Sequence, residues 1–483
     1  MITDMTSGNP LKHIILFSIP LLIGNVFQQL YNIADLVIVG RTLGVESFAA
    51  VGAVAPLFFL ITFVIVGLTN GFAVVTGQRY GAKDISGVKN SVIVSIILSS
   101  IVTLLFTVVC VFLMNPILYW MNVPTNIYHN AFWYIEIITI GLIATTMYNM
   151  LASIIRALGD SKTPLYFLII ASIINIVLAL IFIQCFHMGV PGSAIAVILS
   201  QGISFLLCLL FIKYKFPILH LAKEDFDSVK DKKEFCASAY EHLRVGVPMA
   251  IQFSIIGVGI LIIQSVCNSF GSNVIAALTA ALRIEQIATL PMMSFGVALA
   301  AYVAQNYGAK KFKRIRLGVI NTSTINIILS ILMAFVMRLW GTDIISAFIG
   351  SATKNIINIA HQYLLISTIY YFFLGQIFIY RNALQGMGET VFPLLACTAE
   401  LVMRAFAAIY LAIKFGYVGI FYSGPIAWIS ASSVLFFGYL WSIKHIIWKF
   451  RYQLNIPVDD ENIWLVVELT LEIMVCTTKF LID

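Results

Sequence analysis

Charged residues are scarce in this sequence. Only 11% of the 483 residues are Asp, Glu, Lys or Arg, whereas 60% are hydrophobic. Soluble domains carry about 25% charged residues and disordered chains are poor in apolar ones, so this composition excludes both classes. Long apolar runs and a mean hydropathy of +0.97 instead indicate an all-α polytopic membrane protein.

Motifs for enzyme chemistry are also missing. The seven cysteines are scattered, without a CxxC pair or a His-rich neighbourhood, which excludes a cysteine-based metal site. There is no GxxxxGK[ST] phosphate loop, HExxH or GxSxG motif, so nothing indicates an ATP-driven pump, a metalloprotease or a serine hydrolase. We therefore expect neither enzymatic activity nor a cofactor.

The apolar runs and the polar loops between them predict twelve transmembrane helices, since each span needs about 20 apolar residues. Six helices form a lobe within residues 1–212 and six form a second lobe within residues 243–445, joined by a cytoplasmic linker at 213–242. The tail, residues 446–483, contains an apolar stretch that still carries charges. This favours a helix at the membrane interface over a thirteenth span.

The net charge of +7 is explained by the positions of the loops. Lys and Arg collect in the cytoplasmic loops of membrane proteins. With the N-terminus in the cytoplasm, 21 Lys and Arg residues lie inside, and only Arg41, Arg338, Lys354 and Lys414 lie outside. We therefore expect a protein of the cell membrane with both termini in the cytoplasm, and we expect no nucleic-acid partner.

The two halves of the sequence repeat each other. "GQRYGAK" at 77–83 recurs as "AQNYGAK" at 304–310, a shift of 227 residues. Pro20 matches Pro248 at a shift of 228, and "RALGDSKTP" matches "QGMGETVFP" at a shift of 229. Because each half has an even number of spans, both enter the membrane in the same sense, as two lobes about a pseudo-twofold axis. This architecture suits alternating access.

Two further features concern packing inside the membrane. "GLTNG" at 67–71 fits the GxxxG pattern of closely packed helices. Pro20, Pro56, Pro248 and Pro291 interrupt long apolar runs. They predict kinks, which membrane helices tolerate and use in gating.

Several motifs together carry a resemblance to a known family. They are "DMTSGNPLKHIILFSIPLLIGNVFQQLYNIADLVIVGRTLG" at the start, the two repeated motifs, "IIRALGDSKTP" after the fourth span and "NALQGMGETVFP" after the tenth. Through them the chain, over roughly residues 5–445, resembles the multidrug and toxic compound extrusion family, known as MATE. The resemblance implies a secondary active antiporter that exports cationic or amphipathic drugs and toxic compounds in exchange for H⁺ or Na⁺.

Other expectations follow from this reading. We expect a monomer whose partners are small-molecule substrates and membrane lipids. An alternative is a lipid-linked oligosaccharide flippase, which shares the two-lobed fold and would favour a cavity rich in Arg and Lys.

Asp35 is the clearest charge in an apolar span of the first half. A charged side chain at a helix centre costs about 2.5 to 3.5 kcal/mol to insert, so it needs a partner or a function. Tyr31, Asn32 and Gln28 precede it at helical spacing and lie on the same face. The residues alone leave open whether Asp35 binds a cation or is a structural carboxylate near the outer interface, capping or pairing with Arg41.

The resemblance implies that Asp35 binds the coupling cation, with Tyr31 and Asn175 as its hydrogen-bond partners. Asn32, on the same helical face, is a further candidate for this cation site. The motifs "YNIAD" and "INIVLALIF" carry these matches. The chain has Ala179 where many relatives carry an Asp, and Val197 where a hydroxyl residue is frequent. The choice between H⁺ and Na⁺ therefore stays open, although the apolar residues at the acidic positions of sodium-coupled relatives favour protons.

The second half has a different polar set. A shift of 227 or 228 places Ile262 or Ile263 opposite Asp35, so that carboxylate has no duplicate. Glu400 and Arg404 are spaced to pair within one helix. Arg283 and Glu285 lie near a helix end, where the alternative to a functional role is that their side chains reach the membrane interface. Arg381 fits the cytoplasmic charge bias. Together with Gln28 of the first half, the candidates for a substrate, gating or structural role are Arg283, Glu285, Arg381, Glu400 and Arg404.

Overall fold

The computed structural model describes residues 3–226, 231–349 and 353–448, and within these ranges the chain is helical without a β-strand. The helices of the first half are α1 (Pro10–Leu43), α2 (Val45–Gly81), α3 (Ile85–Trp120), α4 (Thr125–Ile140), α5 (Leu142–Ala157), α6 (Lys162–Leu180) and α7 (Val190–Lys215). Those of the second half are α8 (Lys232–Asn268), α9 (Ser272–Gly308), α10 (Phe312–Ile349), α11 (Lys354–Ile369), α12 (Tyr371–Gly386), α13 (Val391–Phe415), the short α14 (Tyr417–Phe421) and α15 (Ser423–Trp448).

The helices supply the predicted number of membrane spans. Among the described residues, ten helical segments are long and apolar enough to cross a membrane. Two further pairs, α4 with α5 and α11 with α12, pass the same test together and bend by 49° and 53° at their junctions. Counted as one span each, the bent pairs bring the total to twelve, as predicted.

The backbone repeats at the same shifts as the sequence. Lys83 and Lys310, which end the repeated motifs, both adopt a left-handed conformation, with φ of 60° and 58°. Gly159 and Gly388 follow the bent spans, with φ of 92° and 80°, a conformation that glycine adopts without steric cost. The predicted duplication of the fold is confirmed.

The junction between the halves is shorter than the predicted linker, residues 213–242. Helix α8 already begins at Lys232 because the side chain of Asp231 accepts a hydrogen bond from the backbone N–H of Lys233 and caps the helix. Before it, Asp225 pairs with Lys89 of α3 at 3.0 Å. The helix predicted within the tail at 446–483 lies almost entirely outside the described residues, which end at 448.

The lobes meet through their repeated motifs. The Nε2 of Gln78 donates a hydrogen bond to the backbone oxygen of Gly386 at 2.9 Å. The Nε2 of the equivalent Gln305 donates to the backbone oxygen of Ala157 at 2.8 Å. Each glutamine thus binds the end of the fourth span of the other lobe, and the two bonds are related by the pseudo-twofold axis.

These contacts lie at one end of the bundle. We call it the basic end because it carries Arg79, Lys83, Lys310 and Arg314. Helices α2 and α9 finish there and α8 begins there. The positive-inside rule predicts that the basic end faces the cytoplasm.

Glycines in α2 allow the lobes to approach closely near this end. A Cβ on Gly71 would overlap the backbone of Gly246 in α8, and a Cβ on Gly67 would overlap that of Ala250. The close packing predicted from the GxxxG pattern is therefore confirmed, and its partner is the first helix of the other lobe.

Substitution of Gly71 by Ala should destabilise the contact between the lobes. The added methyl group has to displace the backbone of α8, and such overpacking typically costs about 1 to 3 kcal/mol. Gly52→Ala, in the same helix, is the matched control because a Cβ there meets no atom within 4 Å. The thermal unfolding midpoint of the purified protein should fall for Gly71→Ala only; equal midpoints would contradict this packing.

Candidate functional site

Asp35 is buried in the first lobe and hydrogen-bonded on both oxygens. Asp35 is only 6% exposed. The hydroxyl of Ser193, in α7, donates to Oδ1 at 2.8 Å, and the hydroxyl of Tyr134, in α4, donates to Oδ2 at 3.3 Å. The carboxyl group therefore joins α1 to two other helices of its lobe.

These partners differ from the expected ones. Tyr31 lies one turn before Asp35 on α1, but no hydrogen bond joins the two among the described residues. Both polar side-chain atoms of Asn175 are buried without a hydrogen-bond partner. The expected hydrogen bonds from Asp35 to Tyr31 and Asn175 are therefore wrong for this structure, while the place of these residues in a cation site stays a prediction.

The expected pair between Asp35 and Arg41 is wrong as well, while a structural role of Asp35 stays an alternative. Arg41 is exposed and forms no ion pair in the described part of the chain. About two turns before Asp35, the Nε2 of Gln28 donates to the Oδ1 of Asn32 at 3.4 Å. These two amides therefore bind each other rather than the carboxyl group.

By the family resemblance, a hydroxyl residue is expected on the sixth span at the position of Val197. The structure places this hydroxyl group one helical turn earlier, at Ser193. Val197 is apolar, and Ser193, four residues before it, supplies the hydroxyl to Asp35. Ala179 is fully buried and adds no second carboxylate. A one-turn offset preserves the helical face, so a search for hydroxyl residues at i−4 from Val197 could have found Ser193.

The donor set around Asp35 suits a small hard cation or a proton. It consists of one carboxylate and two hydroxyl groups, and oxygen ligands of this kind bind hard cations. Groups of three or more His, Cys, Asp and Glu side chains that could hold a metal ion do not occur among the described residues. A single carboxylate balances a single positive charge.

The second lobe holds a buried ion triad. The NH2 group of Arg404 donates to Oε1 of Glu400 at 2.5 Å, and that of Arg381 donates to Oε2 of Glu400 at 3.2 Å. All three side chains are at most 14% exposed. The predicted pair within α13 is confirmed, whereas the interpretation of Arg381 as a residue of the charge bias is wrong, because it is buried and paired.

Glu285 lies next to this triad. Its Oε2 accepts a hydrogen bond from the hydroxyl of Tyr363 at 3.1 Å. Together with Arg404 and Trp428 these two residues line a cavity of about 40 Å³, which is large enough for water. Arg283 does not belong to the group: it is exposed and donates to the Oε1 of Gln286 at 3.3 Å.

The tyrosines of the two sites are equivalent by the repeat. Tyr134 and Tyr363 are 229 residues apart, the shift of the bent fourth spans, and each donates to a buried carboxyl group. The acids come from different helices, since Asp35 lies on the first span of its half and Glu285 on the second span of its half. Sequence comparison of the halves missed this because only the tyrosine is repeated.

Removal of the charge on Glu400 should strongly destabilise the second lobe. Glu400→Gln leaves the largely buried guanidinium group of Arg381 without a counter-ion and removes the bonded carboxylate of Arg404, and breaking a buried ion pair in this way costs about 3 to 5 kcal/mol. Replacing Arg381, Glu400 and Arg404 together by Met, Leu and Met should restore most of the lost thermal stability, measured as the unfolding midpoint. A Glu400→Gln variant as stable as the parent would refute the pairing.

Comparisons with known proteins agree with this architecture. The family model described as MatE matches twice, at residues 20–181 and 248–410. The probable multidrug resistance protein YpnP of Bacillus subtilis is 31% identical over 80% of this chain and 84% of its own, and YoeA of the same organism is 28% identical over 89% and 94%.

Solved structures show the same fold. A MATE transporter crystallised in complex with MaL6 superposes with a TM-score of 0.83, at 24% identity, over 92% of this chain and 98% of its own. The two family matches fall on the two lobes, one on each side of the junction between α7 and α8. The chain therefore belongs to the MatE family of multidrug efflux transporters, with twelve helices in two lobes.

Proposed function

We propose that this protein is a secondary active antiporter that exports cationic or amphipathic drugs and toxic compounds in exchange for H⁺ or Na⁺ by alternating access. The family supports efflux transport; the substrate class and the coupling ion are our proposal. The observation that carries it is the buried carboxyl group of Asp35, held by two hydroxyl donors from two other helices.

The hydrogen bonds of Asp35 make it responsive to a cation. The ionised carboxylate accepts from both Ser193 and Tyr134. A proton or a bound cation occupies one oxygen and competes with one of these donors, so occupancy changes how α1 packs against α4 or α7. Asn175 supports this role because its buried amide has no partner, and such groups in native proteins call for a ligand, a water or an ion.

Asp35 lies toward the end of the helix bundle opposite the basic end, and this position fits exchange of the coupling ion with the solution at that end. The Nδ2 of Asn25 in α1 donates to the Oγ of Ser294 in α9 at 3.0 Å, a contact between the lobes. Phe63 and Phe253 stack between α2 and α8 with ring centres 5.5 Å apart. Asp35 lies ten residues beyond Asn25, or about 15 Å along the helix, on the side away from the closed contacts.

The remaining features of the proposal follow from the charge distribution and the family. We place the protein in the cell membrane as a monomer, with the basic end and both termini in the cytoplasm. Its partners are small-molecule substrates and membrane lipids, and it needs no cofactor and performs no enzymatic reaction.

The alternative of a lipid-linked oligosaccharide flippase finds less support. That function favours a cavity with free basic side chains. The interior arginines Arg381 and Arg404 are both engaged by Glu400, so they do not offer an open anion site.

Substitution of Asp35 by Asn should abolish transport without preventing folding. Asn keeps the size and the hydrogen-bonding oxygen but removes the charge that exchanges with the cation. Cells that express the parent protein should accumulate less ethidium than cells without it, and Asp35→Asn should remove this difference. A protonophore reverses the effect if H⁺ drives export, and removal of sodium reverses it if Na⁺ does.

The control for this experiment is Glu46→Gln, which neutralises an exposed carboxylate in α2 and should leave efflux unchanged. Membrane insertion of each variant is measured in parallel. Normal efflux by Asp35→Asn would return Asp35 to a structural role.

Ser193→Ala should strengthen the apparent affinity for the coupling ion about tenfold or more, because the hydroxyl group that competes with the ion for Oδ1 of Asp35 is lost. A hydrogen bond to a charged group contributes about 1.5 to 3 kcal/mol, and 1.4 kcal/mol corresponds to a factor of ten. Val197→Ala, one turn away, should have little effect, and Ser193→Thr should return the affinity to that of the parent protein. The measurement is the ion concentration for half-maximal substrate export from proteoliposomes; an unchanged value in Ser193→Ala would contradict this role of the hydroxyl group.

A further inference from the structure

The residues before α1 lie across the basic end of the bundle. We call residues 3–9, "TDMTSGN", the N-terminal strap. Met5 and Thr6 within it are only 1% and 5% exposed. Segments before a first helix are ordered only where contacts hold them, so this burial requires specific partners.

The second lobe binds the backbone of the strap. The backbone N–H of Met5 donates to the Oε1 of Gln305 at 3.0 Å. Four successive carbonyl groups of the strap accept hydrogen bonds: Met5 from Asn306 at 3.1 Å and Arg314 at 3.0 Å, Thr6 from Lys311 at 2.7 Å, and Ser7 and Gly8 from Arg314 at 3.0 and 2.8 Å. Most of these donors are charged, which makes the bonds stronger than neutral ones.

The strap also contacts the first lobe. The carbonyl oxygen of Thr3 packs on Gly159, in the loop between α5 and α6, so closely that a Cβ there would overlap it. Asp4 is near Lys311 of the second lobe and Lys83 of the first. Although partial burial opposes ionisation, hydrogen bonds from Thr6 and these two charges lower the pKa of Asp4 below its usual value.

Gln305 connects the strap to the contact between the lobes. Its Oε1 accepts from Met5 while its Nε2 donates to Ala157 of the first lobe. The equivalent Gln78 makes the matching bond to Gly386 but has no strap, because the equivalent stretch of the second half forms the start of α8. The strap therefore breaks the symmetry of the fold, and duplication does not explain it.

We propose that the N-terminal strap is a latch that holds the lobes together at the basic end and is released when they part. This inference rests on the alternating access proposed above. For the lobes to separate, the bond from Gln305 to Ala157 has to break, and the strap has to leave one of the two lobes. The strap has four hydrogen-bonding partners in the second lobe, Gln305, Asn306, Lys311 and Arg314, so release occurs on the side of Gly159 and Lys83.

The test measures opening at a place that the strap does not touch. Hydrogen–deuterium exchange of the full-length purified protein reports peptides around Gln78 and Gly386, the contact on the far side of the pseudo-twofold axis. Exchange there should be at least about tenfold faster in Arg314→Gln. Arg314 makes three charge-assisted bonds to the strap, and loss of even one, at about 1.5 to 3 kcal/mol, raises the open population by that factor.

A second variant and a control separate the latch from local effects. Arg314 also bonds to Asn306 and lies over the ring of Tyr302, so deletion of residues 2–8, which keeps the capping Asn9, tests the strap alone and should give the same result. Lys215→Gln removes an exposed charge elsewhere at the same end and should change nothing.

The outcomes are distinct. Faster exchange around both Gln78 and Gln305 supports the latch. Faster exchange confined to Gly159 and Gln305 in both variants means that the strap only covers its own surface, and this overturns the proposal. Neither substrate nor coupling ion is added, so failure of the latch is distinguishable from failure of the antiport mechanism, which the Asp35 experiment tests.

Discussion

Hydrocarbon offers no hydrogen-bond partners, and this constraint governs the whole structure. It makes every described span a helix, because a helix satisfies its own backbone. It also favours a partner for a charge that is removed from water: Glu400 neutralises two arginines, and the carboxyl group of Asp35 takes two hydroxyl donors.

Duplication separates what the fold needs from what function adds. The bent fourth spans, the left-handed residues after the repeated motifs and the reciprocal bonds of Gln78 and Gln305 occur in both halves. Other features occur in one half of the described chain only: the carboxylate on the first span, the acid beside Tyr363, the ion triad and the N-terminal strap. The scaffold is thus symmetric while its polar groups are not, as the proposed antiport requires of two lobes that bind different groups.

The sequence identifies the carboxyl group of the candidate site but not the hydroxyl groups that bind it. Asp35 could be found because a lone charge in an apolar run is costly wherever it lies, and Glu400 with Arg404 because their spacing within one helix suffices. Tyr134 and Ser193 could not, because they are 99 and 158 residues from Asp35. Their approach depends on how three helices rotate and shift against one another, and a rotation by one residue moves a side chain by about 100°.

The sequence by itself determined the membrane class, the number of spans, the duplication and the position of the costly carboxylate, because composition and periodicity are local properties of the chain. Only the tertiary structure decided which hydroxyl groups hold Asp35, that Arg381 completes the ion triad, and that the first residues of the chain bind the second lobe. Those contacts join distant segments, and their geometry is set by the packing of helices against each other.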